Sequence, residues 1–543
     1  MPPLLPQSTL LRHRLLGFLI WQSIVSSLVF FLAKTLVSSL PTISSTASAK
    51  TTSSAFLSFL LCFFVFHLSQ LLFSSSLASI SSPQPTRPAA PWELLLGLFG
   101  LAVGKPGDPE WRERASVSVG IGIFVVACGV SGFLGVVAVG WGSGCWDFVG
   151  RIVGFRGFVV GLVYGVLYVL QRRWMLRFPI VQRTLFFSFK MGLPSSSRRA
   201  LELSAVAYVF SAVLGALIPG QFSFQSSLAR FLSEQIVFFL AVSAVFLCWE
   251  LGQHLHQVLH TKRFVFAPPR GSAAAETNPS EPLLAALEES SPGSLTQYLA
   301  YLDLCMVSEN NVDTWRQAAF FEETGETYKS AIALCLKPLE KLALTSGECL
   351  ETPAASKTFQ LSKQLLSPAE LQLDPYSSDL LDNYQLYAWC ARIVASLTAR
   401  SRTEDRYGVA QLTGCNASVV STLLSCLLAV ESFMGKKTQS PSPNQLIGAG
   451  GIRWVLPNSG PGDTLSSVSV KRRKAPIHSK AYTVSDILRT SVYQIVSAFY
   501  EEMLAGAKSG TLDRDWIGTS KPPFGTRDLL CEKLRLFLDF RVT

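Results

Sequence analysis

Phe231-Leu232-Ser233-Glu234-Gln235-Ile236-Val237-Phe238-Phe239-Leu240-Ala241-Val242-Ser243-Ala244-Val245-Phe246-Leu247-Cys248-Trp249-Glu250-Leu251 is the stretch whose reading decides the fold. A helix that crosses about 30 Å of hydrocarbon needs roughly 20 mostly apolar residues. This run meets that requirement and keeps its two carboxylates, Glu234 and Glu250, toward its ends. Five more runs upstream come close to the same test: Leu15–Leu40, Ala55–Ile80, Ser116–Trp141, Ile152–Leu170 and Leu201–Pro219. The run Leu94–Gly104 is too short to cross and reads as an interfacial or re-entrant piece. Leu15–Leu40 follows Arg12 and Arg14, and its apolar core exceeds the usual 7–15 residues of a secretory signal, so a signal anchor is expected.

Downstream of Leu251 the character changes. Gln253-His254-Leu255-His256-Gln257-Val258-Leu259-His260 reads as a juxtamembrane helix. His256 and His260 share a helix face, but Gln257 stands where a zinc protease carries its glutamate, and no third ligand is evident, so no metal is expected. Residues 261–291, rich in Pro, Ala, Ser and Glu, read as a flexible linker. Residues 292–543 have the mixed composition of a soluble domain, and the six spans fall within 1–260. Overall, charged residues make up 15% of the chain, against about 25% for soluble domains.

Lysine and arginine set the orientation. Arg12 and Arg14 precede span one, and Arg87, Lys105, Arg112 and Arg114 follow span two. Arg172, Arg173, Arg177, Arg183, Lys190, Arg198 and Arg199 follow span four, and Lys262, Arg263 and Arg270 follow span six. The alternate loops carry only Lys50, Arg151, Arg156 and Arg230. Both termini are therefore expected in the cytosol. The sequon Asn416-Ala417-Ser418 is expected to stay unglycosylated there, and the eleven cysteines, without a CxxC pair, to stay reduced. Of the loop cations, Arg172, Arg173, Arg177, Arg198 and Arg199 are expected to lie against anionic head groups.

Inside the spans, Gly157, Gly161 and Gly165 recur every four residues and form a strip for close helix packing, with Gly129, Gly132 and Gly135 as the facing strip. Glycine is also simply common in membrane helices. Ionisable groups at membrane depth mark transport and proton relay. Only His67 lies near the middle of a span, which favours an anchor over a pump, channel or membrane enzyme.

The second half shows the 3.6-residue period of helices. Leu295, Leu299, Leu302 and Met306 form one stripe, and Leu386, Trp389, Ile393, Val394 and Leu397 another. Val484, Leu488, Val492, Ile495, Phe499 and Met503 form a third. Ile332, Leu336 and Leu339 follow the same period, although Pro338 should bend or end their helix. Two breaks interrupt the pattern, Thr345–Tyr376 and a disordered insertion at 435–482. The latter holds Lys471-Arg472-Arg473-Lys474, which reads first as a solvated loop, with an import signal or a membrane contact as the alternatives. In Thr403-Glu404-Asp405-Arg406-Tyr407-Gly408-Val409-Ala410-Gln411, Thr403 is expected to cap a new helix with Glu404 and Asp405 in its first turn. No base adjoins Cys415, so no catalytic set is completed.

Four elements together resemble the nuclear-division-cycle family of transmembrane nucleoporins. They are Arg12-His13-Arg14 before the first of six spans, and Leu299-Ala300-Tyr301-Leu302-Asp303-Leu304 with Trp315-Arg316-Gln317-Ala318-Ala319-Phe320-Phe321 and Gly325-Glu326-Thr327-Tyr328. The others are Ala395-Ser396-Leu397 with the Thr403–Gln411 motif, and Leu488-Arg489-Thr490-Ser491-Val492-Tyr493-Gln494-Ile495-Val496. The resemblance implies an all-α protein, a six-helix transmembrane bundle followed by a cytosol-facing helical domain, located at the nuclear pore membrane. It implies pore anchoring and assembly, other nucleoporins as partners, no cofactor and no direct nucleic-acid contact. Asp303, Arg316, Glu404, Asp405, Arg406 and Tyr407 are the residues it marks, either as partner contacts or as braces of the helical core. A polytopic membrane enzyme or transporter of the endoplasmic reticulum is the alternative.

Overall fold

The computed structural model describes residues 7–39, 52–84, 88–89, 92–94, 97, 109–141, 150–179, 182–217, 228–309, 313–351, 381, 383–438, 475–518 and 521–539. These are helical almost throughout, with one isolated parallel bridge, Ser82 to Met175, among them. The chain divides into two compact units, Met1–Lys262 and Arg263–Thr543.

The first unit consists of long helices: α1 (Gln7–Ser39), α2 (Thr52–Ile80), α3 (Pro109–Gly140), α4 (Gly150–Leu170), α5 (Leu185–Leu217) and α6 (Leu228–His260). A helix satisfies its own backbone hydrogen bonds, the requirement hydrocarbon imposes. The α3–α4 pair packs tightly, α2 lies on α3, and α6 packs against both α1 and α5. Phe73 and Trp249 stack at 4.8 Å in the centre, with Tyr164 and Phe246 around them. Leu16, Ile20, Trp21, Ile24, Leu28, Leu57, Leu61, Phe64 and Leu68 point outward instead, as hydrocarbon contact demands.

Among the described residues six helices are long and apolar enough to cross a membrane. Five are in this unit: Thr9–Ser39, Phe56–Ile80, Trp111–Gly140, Val153–Leu170 and Phe231–His260. The expected fifth span, Leu201–Pro219, occupies the second half of α5 and runs on into residues outside those described. The sixth, Cys415–Met434, belongs to the second unit, where 67% of it is buried against 28–50% for the other five. It is a core helix. The chain is an all-α protein with an N-terminal transmembrane bundle.

The second unit contains α7 (Ala273–Thr277), α8 (Glu281–Glu289), α9 (Leu295–Glu309), α10 (Thr314–Ala318), α11 (Glu326–Glu351), α12 (Tyr384–Glu404), α13 (Val409–Leu412) and α14 (Cys415–Thr438). It continues with α15 (Ala475–Ala498), α16 (Tyr500–Ser509), α17 (Leu512–Trp516) and α18 (Arg527–Asp539). Val419, Val420, Leu423, Leu424 and Leu427 on α14 are fully buried, packed between α11 and α15. The third apolar stripe, Val484 to Met503, is buried at every position.

Three local expectations differ from the structure. Residues 273–277 and 281–289 of the stretch read as a linker are helical, because Leu283 and Leu287, four apart, bury one face of α8. Helix α11 passes through Pro338 without ending. Of the 435–482 stretch, 435–438 and 475–482 extend α14 and α15, whereas 439–474, with Lys471–Lys474, lies outside the described residues, as do 352–380 and most of Leu94–Gly104.

Candidate docking surface and membrane face

Charge inside the bundle is paired. Glu250, 2% exposed on α6, accepts from Arg173 through both carboxylate oxygens at 2.6 Å and from the Tyr164 hydroxyl at 2.9 Å. Arg173 also donates to Gln253. Its charge is therefore spent within the protein. Arg172 and Arg177 point to the outside, and Arg198, 83% exposed, is bonded to Glu202. Arg199 is partly exposed, donates to Gln171 and lies 3.9 Å from Glu250. Arg156 stacks over Phe238 at 4.1 Å and donates to Gln235 at 3.1 Å. His67 has both ring nitrogens occupied, one 3.0 Å from the Ser27 hydroxyl and one 2.9 Å from the Phe63 carbonyl. His256 and His260 stack at 3.9 Å. No group of three or more His, Cys, Asp or Glu suited to a metal occurs among the described residues.

Glycine sets the α3–α4 contact. A Cβ on Gly132 would lie 2.5 Å from the Gly157 carbonyl oxygen, and one on Gly161 would overlap the Cys128 carbonyl. A Cβ on Gly165 would stand 3.1 Å from the Val125 Cα. Gly129 and Gly132 face α4, whereas Gly135 turns to Val245 of α6 and Ser69 of α2.

In the second unit Asp303 is fully buried on α9 and accepts from four donors: Arg316 Nη2 at 2.7 Å, Arg316 Nη1 at 3.3 Å, Arg263 Nε at 2.8 Å and the Phe266 amide at 3.0 Å. Arg316, 1% exposed, also donates to the Phe266 carbonyl at 3.1 Å, and Asp313 accepts from Arg263 at 2.8 Å. Burial alone would lower the Arg263 pKa, but Asp303 and Asp313 outweigh it and hold the guanidinium charged. Asp303 and Arg316 are thus buried and paired inside the second unit. Sequence reading missed Arg263 and Asp313, whose only signal was a spare charge near a motif.

The Thr403–Gln411 motif ends one helix before it starts another. Helix α12 runs through Glu404, so Thr403 lies in its last turn, where its hydroxyl donates back to the Arg400 carbonyl at 3.1 Å. Glu404 sits at the unfavourable end of the helix dipole and is offset by Arg400 at 3.3 Å. The capping residue is Asp405, whose carboxylate accepts from the Ala410 amide at 2.8 Å. The expectation of a Thr403 cap fails because the apolar face of α12 carries helix past Leu397 to that point. Gly408 and Gly414 take left-handed backbone (φ +67° and +69°) on either side of α13. Arg402 and Gln411 tie the loop to Glu502 at 3.7 and 3.3 Å. What remains outward is Arg406, Tyr407 (54% exposed) and Leu412 (85% exposed). Tyr407 and Leu412 are thus two large apolar side chains exposed on the same loop segment. Leu412 went unnoticed in the sequence, where it reads as one more apolar residue before α14. The sequon is not on this surface: Asn416 is buried and accepts from the Tyr328 hydroxyl at 3.1 Å.

A family model described as nucleoporin protein Ndc1-Nup matches residues 351–504. The described part of that segment holds α12, α13, α14 and α15, and with them the outward Arg406, Tyr407 and Leu412. No curated protein matches the chain.

Proposed function

We propose, from the match of residues 351–504 to the Ndc1-Nup nucleoporin model, that the chain is a member of that family, that it anchors the nuclear pore complex in the nuclear envelope, supports pore assembly and docks soluble nucleoporins. The observation that carries the reading is the match itself, which falls on a helical body presenting an apolar and cationic loop, Arg406–Leu412. Residues 1–260 hold position in the bilayer, and 292–543 offer the docking body. Both termini face the cytosol or the pore, in keeping with the basic loops. Arg172, Arg177, Arg198 and Arg199 meet anionic head groups, and Gly157, Gly161 and Gly165 hold the bundle together. The protein acts as a scaffold in mRNA and protein transport, with no catalytic step, no cofactor and no direct contact with nucleic acid.

Proximity labelling from the second unit tests this. Recovery of pore components is expected, and its absence defeats the proposal. Tyr407→Ala with Leu412→Asp is expected to lose soluble nucleoporins while the chain keeps a punctate nuclear rim. An even reticular pattern for the unaltered chain counts against pore anchoring. The alternative, a polytopic membrane enzyme or transporter, requires His67, and His67→Ala is expected to have little effect.

A further inference from the structure

The apolar faces that α1 and α5 turn outward are out of register along α6, the helix both of them flank. On α1 the exposed apolar residues begin with Leu16, Ile20, Trp21 and Ile24. These lie beside the last turns of α6. Arg14 donates to the carbonyls of Leu259 and His260, the Phe18 ring is 5.1 Å from His256, and a Cβ on Gly252 would sit 3.4 Å from Gln22. The first half of α5 lies beside the same turns, with His254 Nε2 at 3.3 and 3.2 Å from the Ser188 and Phe189 carbonyl oxygens. There, however, α5 is cationic outward, with Lys190 and Arg198 exposed. Around and below the exposed Arg198–Glu202 pair its outward side is apolar, with Leu201, Val206, Val209, Phe210 and Val213, and Tyr208 there packs on Phe238 at 6.1 Å. Phe186, Phe187 and Met191 stand exposed among the cations at the upper level, so at 1.5 Å per residue it is the upper edge of the cation-free apolar surface that drops by roughly 20 Å along α6 from one side to the other.

A flat leaflet cannot serve both sides. Set level with Leu16, it would immerse the charged groups of Lys190 and Arg198 in hydrocarbon, which is costly for a cation. Set level with Leu201, it would leave Leu16, Ile20, Trp21 and Ile24 in water. Arg198 lies too deep for its side chain to reach the upper level.

We propose that anionic phospholipid head groups descend along the shoulder formed by residues 172–199, so that the leaflet is locally thinned on the α4–α5 side of the bundle. Charge favours this occupant. Between residues 171 and 200 there are seven cations (Arg172, Arg173, Arg177, Arg183, Lys190, Arg198, Arg199) and no carboxylate, and Glu250 and Glu202 pair only Arg173 and Arg198 closely. Phe186, Phe187 and Met191 stand exposed among them, giving the cationic and apolar mixture that lies in a head-group layer. The shoulder is also continuous with the lipid-facing surface of α5. The inference rests on the first unit being membrane-embedded, and its test separates the two.

A fluorescent amino acid is placed at Ile24, Phe187 or Arg198 of the full chain, reconstituted in phosphatidylcholine vesicles with and without phosphatidylserine. Each reporter is quenched in turn by lipids bearing a nitroxide at the head group or within the acyl chain. The expected result is severalfold stronger head-group than acyl quenching at 187 and 198, the reverse ratio at 24, and a loss of head-group quenching at 198 without phosphatidylserine. The triple change Arg172→Gln, Arg183→Gln, Lys190→Gln should lower that quenching as well. Acyl quenching at 198 equal to that at 24 overturns the proposal, as does indifference to phosphatidylserine. Absence of both kinds at 187 and 198, the outcome if water or a protein covers the shoulder, also overturns it. Loss of acyl quenching at 24 would instead remove the membrane reading of the bundle.

Discussion

Tyr301 donates its hydroxyl to the Leu334 carbonyl at 3.0 Å, and Leu334 is the residue whose carbonyl Pro338 leaves without a donor. In a continuous helix the amide of residue 338 would bond there, and proline has none. The side chain of α9 thus replaces a missing backbone bond in α11, which is why α11 runs on through a residue expected to bend or end it. Tyr301→Phe should destabilise the second unit by about 1–3 kcal/mol, the cost of a buried acceptor left unmade. In a Pro338→Ala background the same change should cost much less. A double-mutant cycle read by denaturant unfolding checks the coupling, and strictly additive effects would refute it.

Asp303 and Arg316 carry a second prediction. Asp303→Asn leaves the buried Arg316 guanidinium short of a counter-charge, and Arg263 with Asp313 alone, and should cost about 3–5 kcal/mol. Because the pair is inaccessible, the loss should appear as lowered thermal stability and cellular abundance. Residual folded protein should bind its partners with unchanged affinity. Weakened binding at unchanged stability would return Asp303 to the docking surface.

Packing of the bundle rests on the α3–α4 contact. Gly161→Val forces the helices apart at the Cys128 carbonyl, whereas Gly122→Val meets nothing within 4 Å of its Cβ. The first should cost about 1–3 kcal/mol or more, and the second little. Thermal stability in detergent distinguishes them, and equal effects would remove the glycine strip from the account.

Arg14 and Lys34 stand 20 residues apart on α1, about 30 Å at 1.5 Å per residue, and each closes the end of another helix. Arg14 donates to the carbonyls of Leu259 and His260 at 3.0 and 2.6 Å, and Lys34 to those of Val139 and Trp141 at 3.2 and 2.5 Å. Carbonyls at helix ends lack partners within their own helix, and these two cations supply them at the two ends of the span. Arg14→Ala and Lys34→Ala should each lower stability by about 1.5–3 kcal/mol. Substitution by glutamine should recover part of the loss, and failure of both alanine changes to alter unfolding would contradict the assignment.

How much of this was legible depends on range. Hydrophobic length located five spans closely, because hydrocarbon thickness acts on each helix alone. The stripes of α12 and α15 were legible for the same reason: a helix face is a local pattern. What failed was decided by distant residues. Pro338 is tolerated because of Tyr301, and Thr403 is not a cap because α12 packs on past Leu397. The stretch 261–291 folds around Leu283, Leu287 and the Phe266 contacts of Asp303 and Arg316, none of which its composition reveals. At the candidate surface, residue types pointed to Arg406 and Tyr407, but only packing separates those two from the buried Asp303 and Arg316.

Helix α14 has a consequence for biosynthesis. Cys415–Met434 has a mean hydropathy of 1.7, close to the 1.9 of Val153–Leu170. An insertion machinery that weighs only length and greasiness would therefore find an extra candidate in the nascent chain. Were it threaded into the bilayer, everything after it would emerge in the wrong compartment. The side on which the last fifth of the chain emerges would then depend on which event comes first, capture by the translocon or burial among α11, α12 and α15.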